Sequence, residues 1–232
     1  MKKKLVVLTG AGMSAESGIK TFRDADGLWE GHNVNDVATP EAFIRNPDLV
    51  HDFYNQRRRQ LLQVTPNAAH EYLVELENDF EVQIITQNVD DLHERAGSSR
   101  VLHLHGELLK IRSLSDPQKI KPWYQDLTTE YIDDEGHHYR PHIVWFGEAV
   151  PLLHNAAHHC SISDICIVIG TSLQVYPAAS LLDFCPETTP IFYIDPHPGE
   201  TSHFNNRCQI EVFPFTAVQS VPMLRKKMAD FK

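Results

Sequence analysis

Short apolar runs, each closed by a glycine or polar cluster, set the rhythm of this chain. Leu5, Val6, Val7 and Leu8 form an unbroken apolar run, two of the four β-branched, which predicts a strand covered on both faces. It stops at Gly10, Ala11 and Gly12, and Met13, Ser14, Ala15, Glu16 and Ser17 carry helix-opening chemistry. The form recurs. Residues 80–86 predict a strand ending at Gln87, Asn88, Val89 and Asp90, and residues 101–104 a shorter one ending at His105 and Gly106. Residues 164–169 are the clearest buried strand and end at Gly170, Thr171 and Ser172; residues 190–195 end at Asp195, Pro196 and His197.

Helical patterning fills the gaps. Asn46 and Pro47 make an N-cap and first helical position, and Leu49, Val50, Phe53, Tyr54, Arg57 and Leu61 continue the helix. Thr65 and Pro66 are read as opening another, with Ala69, Tyr72, Leu73 and Leu76 at helical spacing. Residues 36–78 are therefore expected to form a helical insertion on the sheet. Residues 107–142 show no strong period and are expected to form a small irregular module, and residues 217–231 a last amphipathic helix. The fold class expected is α/β, a doubly wound, Rossmann-like parallel sheet as the large part of one domain over 1–232, with the two inserted pieces as a smaller part.

Gly10, Gly12 and Ala15 match G-x-G-x-x-A in strand–turn–helix context. That pattern assigns Gly10 to the tight turn, Gly12 to close approach of a pyrophosphate, and Ala15 to helix–strand packing. Free N–H groups at the helix start are expected to face the phosphates. A hydride-transfer enzyme should continue into a second strand ending in an acidic residue. Residues 19–29 are instead polar, and no apolar strand precedes Asp24 or Asp26. Ligands of parallel sheets bind beyond the carboxyl ends of the strands, so the five terminal clusters should border one crevice.

Composition narrows the picture. A chain of 232 residues, 42% hydrophobic and 22% charged, is long enough for one large domain with a sizeable core. The net charge of −10 argues against nucleic acid as a partner. Lys2, Lys3 and Lys4 precede an apolar run too short for a signal segment, and no run reaches the length of a membrane span. Cys160, Cys166, Cys185 and Cys208 are scattered and are read as reduced residues of a cytoplasmic protein.

Several blocks in order carry a resemblance: Gly10, Ala11, Gly12, Met13 and Ser14; Ser17, Gly18 and Ile19; Phe22 and Arg23; Gly27, Leu28 and Trp29. They continue with Thr86, Gln87, Asn88, Val89 and Asp90; His103, Leu104, His105 and Gly106; Phe146, Gly147 and Glu148; and Gly170, Thr171 and Ser172. Together they resemble the sirtuin family, in its bacterial form. The resemblance implies an NAD-dependent protein-lysine deacylase with a Rossmann-type large domain and a small domain of helical and zinc-bearing insertions. NAD would be a co-substrate, yielding nicotinamide and O-acyl-ADP-ribose. Gly10, Ala11, Gly12, Ser14, Phe22, Arg23 and Trp29 would belong to the phosphate turn and a mobile cofactor loop. Gln87, Asn88 and Asp90 would hold the nicotinamide and its ribose, and Gly170, Thr171, Ser172, Asp195, Pro196, His197 and Ala217 the adenosine half. The catalytic set would be His105, Asn88 and Asp90.

The chemistry agrees. A histidine titrates near neutrality and suits deprotonation of a ribose hydroxyl, while an amide and a carboxylate suit a carboxamide and ribose hydroxyls. With 14 histidines in the chain, strand-end position is what separates His105 from His70, His93 and His103.

Tyr54 and Arg57 lie three apart on the predicted helix and so share a face, where a phenol and a guanidinium can grip a carboxylate. They resemble the Tyr-x-x-Arg of the sirtuin subgroup that removes succinyl, malonyl and glutaryl groups, and Ala38 fits a wider acyl pocket. The plainer alternative is that Arg57, Arg58 and Arg59 form a solvated basic face with Tyr54 packed inward. Acetyl and succinyl or malonyl removal are expected together. The acyl-lysine protein would be held by β-augmentation between residues 144–148 and 173–176, which brings in Val144, Phe146, Gly147 and Glu148, with Phe22 and Val144 around the lysine stem.

Two departures stand out. Sirtuins usually carry two cysteine pairs after the catalytic histidine, and residues 107–145 contain no cysteine. Asp133, Asp134, Glu135, His137 and His138 around Gly136 are read as an exposed acidic turn, and no zinc is expected. The module is then expected to rest on Trp123, Tyr124, Leu127, Tyr131, Ile132 and Tyr139. Lys20 and Thr21 stand where many members have Pro-Asp, which places the subgroup. Mono-ADP-ribosyl transfer and a non-catalytic NAD or ADP-ribose-binding protein remain as alternatives. Neither nucleic acid nor membrane is expected as a partner, and the chain is expected to be a monomer.

Overall fold

The apolar run at the start becomes the central strand of a parallel sheet. The computed structural model describes residues 2–20, 28, 29, 31–199 and 210–232. In chain order the first elements are β1 (Lys4–Thr9), α1 (Gly12–Ala15), β2 (Leu28–Trp29), β3 (His32–Asn33), α2 (Val34–Val37) and α3 (Pro40–Arg45). Next come α4 (Pro47–Leu61), α5 (Ala68–Leu76), β4 (Glu81–Thr86), α6 (Leu92–Ala96), β5 (Val101–His103), β6 (Gly106–Ser113) and β7 (Ile120–Pro122). β8 (Tyr139–Ile143), α7 (Leu153–Ser161), β9 (Ile165–Ile169), a 3₁₀ helix (Ala178–Phe184), β10 (Ile191–Ile194), β11 (Ile210–Phe213) and α8 (Ala217–Ala229) complete the chain.

Six strands form one sheet in the order β11-β10-β9-β1-β4-β5, every neighbouring pair parallel. Leu5 and Val7 point into a core closed by α5 and α8, and Val6 and Leu8 into one closed by α7 and the 3₁₀ helix. Helices on both faces explain why the strand is apolar at every position and not at alternate ones. The Rossmann-like α/β class expected from sequence is what the chain adopts. β11 was not anticipated, because Ile210, Glu211, Val212 and Phe213 are a short run at the sheet's edge.

The helical stretch expected over 36–78 divides in two. α2, α3 and α4 share a core with Leu108, Leu109, Ile143 and Trp145, whereas α5 sends Ala69, Tyr72, Leu73 and Leu76 into the sheet core. So α5 is a sheet-covering helix and not part of an insertion. Its cap is also not Thr65–Pro66: the Asn67 side chain accepts from the N–H groups of Ala69 and His70, and His70 Nδ1 accepts from Asn67 N.

The stretch 107–142 is less irregular than its polarity suggests. It contains a three-stranded antiparallel sheet, β7-β6-β8, with a register shift between Gly106 and Ile111. That shift, and cores on both sides of β6, hide the two-residue period. Ile111, Leu127 and Tyr139 are its buried centre, flanked by Trp123 and Tyr131. Tyr124 and Ile132, expected in that centre, are exposed. Lys121 Nζ lies 4.8 Å from the Tyr131 ring centroid and 4.3 Å from that of Tyr139. Among the described residues no helix is long and apolar enough to cross a membrane.

Candidate active site

Strand register builds the floor of the site. Thr9 pairs with Thr86 and with Ile169, Ile169 with Ile194, and Thr86 with His103. The residues that follow, Gly10, Gln87, Gly170 and Asp195, are therefore brought into one row at the carboxyl ends, and all four line a cavity of about 570 Å³. Of the residues expected to contact cofactor, Ala11, Gly12, Ser14, Trp29, Asn88, Asp90, Thr171, Ser172, Pro196 and His197 line it too. Phe22 and Arg23 lie outside the described residues. Ala217 does not reach the cavity: it is the first residue of α8, buried in the sheet core, and the preceding Thr216 takes that place.

The glycine turn works differently from its sequence reading. Gly12 N donates to the Gly170 carbonyl (2.8 Å), Met13 N to Gly10 O (2.9 Å) and Ser14 N to Ala11 O (3.1 Å). The first helical N–H groups are thus engaged within the protein and are not free for phosphate. A Cβ on Gly12 would meet Gly170 Cα at 2.6 Å, and one on Gly10 would meet the Gly170 carbonyl at 2.7 Å. These glycines let one strand-end turn lie directly on another, with Gly170 itself at φ +66°.

Above that floor runs a short polar chain. Asn88 Nδ2 donates to Ser14 Oγ (3.1 Å), which donates to Asp90 Oδ2 (2.9 Å), and Leu92 N donates to Asp90 Oδ1 (3.2 Å). Burial pushes the Asp90 carboxyl up to about 6, against the opposing pull of Leu92 N–H and the Ser14 hydroxyl. Gln87 Nε2 donates to Thr171 Oγ1 at 3.2 Å, tying the β4 end to the β9 end.

His105 sits where β5 gives way to β6. Its Nδ1 lies 3.0 Å from the Gln87 carbonyl, a pure acceptor, so Nδ1 carries the hydrogen and Nε2 is the basic nitrogen. Burial holds its imidazolium below the usual 6.5, although the Gln87 carbonyl works in the other direction. Gly106, at φ +81°, allows the chain to turn here, since a Cβ would meet the His142 carbonyl at 2.1 Å. The rival histidines are occupied elsewhere. His103 bonds Glu94 at 2.7 Å and the Asn88 carbonyl at 3.1 Å, His93 bonds Thr9 at 3.0 Å, and His70 caps α5.

At the other end, Tyr54 and Arg57 of α4 line the same cavity, with Ala38, Val144, Phe146 and Gly147. Tyr54 is buried and its Oη accepts from Trp145 Nε1 at 2.9 Å. Burial raises the phenol above its usual 10, so it stays a hydrogen donor. Arg57 Cζ lies 3.6 Å over the Phe53 ring and Nη1 donates to the Phe53 carbonyl at 2.6 Å. The three arginines do not form one solvated face: Arg58 is buried, and only Arg59 is exposed, bonded to Asp126.

Glu148 lines the cavity, but its carboxylate is taken up by Arg140, Arg112 and Trp145 N and so braces the protein from within. The segments 144–148 and 173–176 are turns and irregular backbone and not regular strands. Trp145 went unnoticed in the sequence, where nothing links position 145 to position 54. Among the described residues the acidic turn supplies one group of potential metal ligands, Asp133, Glu135 and His137. Lys119 Nζ already lies 2.9 Å from Asp133 and 2.8 Å from Glu135, and no thiolate is present, so these residues do not fit a structural zinc site.

Comparison with known proteins gives concordant matches. The Sir2 family model matches residues 10–177. An NAD-dependent protein deacylase of Helicobacter pylori (strain ATCC 700392 / 26695) is 60% identical over 194 residues, covering 84% of this chain and 85% of the relative. One of Bacteroides thetaiotaomicron is 55% identical over 205 residues, covering 86% and 88%. Among solved structures, a Sir2 homologue in complex with NAD is 37% identical, with a TM-score of 0.86 over 99% of this chain and 90% of its own.

Proposed function

The chain belongs to the Sir2 family, and from that premise we propose that it is an NAD-dependent protein deacylase that accepts acidic acyl groups, succinyl and malonyl, on lysine as well as acetyl. One observation carries the reading. A histidine with Nδ1 held by a backbone carbonyl, and Nε2 left as base, lines the same cavity as a buried tyrosine and an arginine. Relatives named NAD-dependent protein deacylase at 60% and 55% identity support it.

The cavity's residues fit NAD: a row of glycine and polar strand ends on one side, and an amide–hydroxyl–carboxyl chain beside a base on the other. When bound, NAD supplies the ribose carbon that receives the acyl oxygen and the nicotinamide that departs. Gly10, Ala11, Gly12, Gly170, Thr171, Ser172, Asp195, Pro196 and His197 would hold the ADP portion, and Gln87, Asn88 and Asp90 the nicotinamide ribose. His105 Nε2 takes the proton of a hydroxyl presented to it; held below 6.5, the imidazole is already unprotonated at neutral pH. Tyr54 and Arg57 offer an O–H and a guanidinium to a terminal carboxylate. The acyl-lysine peptide would lie against residues 144–148 and 173–176.

The test is an NAD-dependent panel of acetyl-, malonyl- and succinyl-lysine peptides, with O-acyl-ADP-ribose identified by mass. His105→Tyr should lower turnover at least about 100-fold. ADP-ribosylated protein in place of O-acyl-ADP-ribose would overturn the deacylase reading. Arg57→Met should weaken succinyl- and malonyl-lysine far more than acetyl-lysine; equal losses on all three would overturn the acidic-acyl part.

A further inference from the structure

At the acyl end of the cavity, where Trp145 and Glu148 are part of the wall, a set of buried and half-buried groups converges on Tyr54. Arg140 Nη1 and Nη2 donate to the two oxygens of Glu148 at 2.7 and 3.0 Å, and Nη2 also donates to the Ile143 carbonyl at 2.9 Å. Arg112 adds bonds to the same carboxylate at 3.1 and 3.2 Å, and Trp145 N donates to it at 2.8 Å. The Arg140 guanidinium lies 3.2 Å from the centroid of the Trp145 ring. Phe43 packs on the same indole at 5.3 Å. With backbone and ring both fixed, Trp145 Nε1 is aimed at Tyr54 Oη, 2.9 Å away.

We propose that Trp145, held by the Arg140–Glu148 pair, is a positioning residue that selects acidic acyl groups by directing the hydroxyl hydrogen of Tyr54. This rests on the acidic-acyl reading given above. A phenol can point its single hydrogen in either in-plane direction. When Trp145 donates into the oxygen from one side, the hydrogen is turned to the other, and accepting a bond also makes the hydroxyl a stronger donor. Burial keeps the phenol protonated, so the donor persists at alkaline pH. Two guanidinium groups, Arg112 and Arg140, meet the single carboxylate of Glu148. That cluster therefore leaves excess positive charge behind Trp145, beside the arginine expected to meet the substrate's carboxylate. A neutral acetyl group gains from neither effect.

Trp145→Phe keeps an aromatic ring at this position but removes the donor together with part of the indole's volume. The readout is therefore the ratio of kcat/KM for succinyl-lysine to that for acetyl-lysine, and the Tyr54→Phe background separates the donor from the lost volume. That ratio should fall about 5- to 10-fold in Trp145→Phe, the effect of one lost hydrogen bond next to a charged ligand. In a Tyr54→Phe background the same substitution should leave the ratio unchanged, because the group it directs is gone. Arg140→Lys, which keeps the charge but loses the planar stack, should lower the ratio in the same direction by less. General damage to the fold lowers both substrates together and leaves the ratio where it was. An unchanged ratio in Trp145→Phe with a collapsed ratio in Arg57→Met overturns the proposal and leaves the acidic-acyl reading standing. An unchanged ratio in both overturns the acidic-acyl reading, and this proposal with it. Equal falls with and without Tyr54 show that Trp145 acts on the substrate by another route and overturn the proposal alone.

Discussion

At the end of the cavity proposed to hold the nucleotide, Gly10, Gly12 and Gly170 pack backbone on backbone, whereas at the end proposed to hold the acyl group Tyr54, Trp145, Arg140 and Glu148 pack side chain on side chain. The first arrangement needs the absence of atoms and is fixed by the register of parallel strands. The second needs long polar side chains, buried or half-buried and bonded to one another, from α4, β8 and the turn that follows it. Backbone packing tolerates no added atom, while a polar side-chain network tolerates changes that keep its donors and acceptors matched. Each end should therefore fail in its own way.

The largest effect is expected at the glycines. In Gly170→Ala the new Cβ would lie 2.3 Å from Met13 N and 2.5 Å from Gly12 C, at a φ of +66°. The collision is with backbone, so no side chain can move aside. Strain and overpacking together should cost about 3–5 kcal/mol in urea unfolding. Gly147→Ala, at φ +88° with nothing within 4 Å of the new atom, isolates the conformational part alone and should cost only about 1–2 kcal/mol. Equal losses would show that the interlock of the two turns contributes nothing beyond backbone strain.

Acid should strike the nucleotide end next. His70 and His93 lie buried, 4.9 Å apart between ring centroids, behind the β1 end, and His93 bonds Thr9 just before the glycine turn. Burial lowers His70 from 6.5 to about 4 and holds His93 well below 6.5, with His70 adding to the effect on His93. A group with a depressed folded value leaves stability intact above 6.5 and removes it as the unfolded chain takes up a proton between 6.5 and about 4. Asp90, raised to about 6, works in the opposite sense over part of that range. The His70 contribution is isolated by His70→Gln, which keeps an acceptor for the Asn67 N–H. Between pH 7 and 4.5 the parent protein should lose roughly 2–3 kcal/mol more than the variant. Parallel pH profiles would overturn the assignment.

How much of each end could be read in advance follows from the same contrast. Gly10, Asn88, His105 and Gly170 were legible because each closes a strand, and strand ends of a parallel sheet meet in space however far apart they lie in sequence. Ser14 bonding Asn88 and Asp90 follows from that convergence. The acyl end was half legible: three-residue spacing put Tyr54 and Arg57 on one face of α4. Trp145, 91 positions from Tyr54, and the inward turn of Glu148 toward Arg140 were not legible, because no local period encodes a contact between a helix and a bend. The packing of Gly12 was not legible for a related reason. Its motif specifies a missing side chain but not what lies on that side, and here Gly170 occupies the side-chain direction while Gly12 still borders the cavity. The β6–β8 sheet escaped notice because a register shift interrupts its alternation.

The smallest effect tests whether the acyl end depends on the module beside it. Asn55, on the same helix as Tyr54 and Arg57, donates to Leu127 O and accepts from Leu127 N, both at 2.9 Å, while its Oδ1 also accepts from Arg58 Nη1 at 2.6 Å. Arg58 in turn donates to Leu108 O at 3.2 Å, so the pair fastens β6 and the Leu127 turn to α4. Asn55→Ala strands two backbone groups and weakens the partner of a buried guanidinium, at a cost of about 2 kcal/mol. That loss should be local. Hydrogen exchange should quicken at amides of β6, β7 and β8, while amides of β1, β4 and β9 stay protected until the whole chain unfolds. Equal loss of protection in both sheets would mean that the two ends of the cavity unfold together, and that the side-chain end is no more separable than the backbone one.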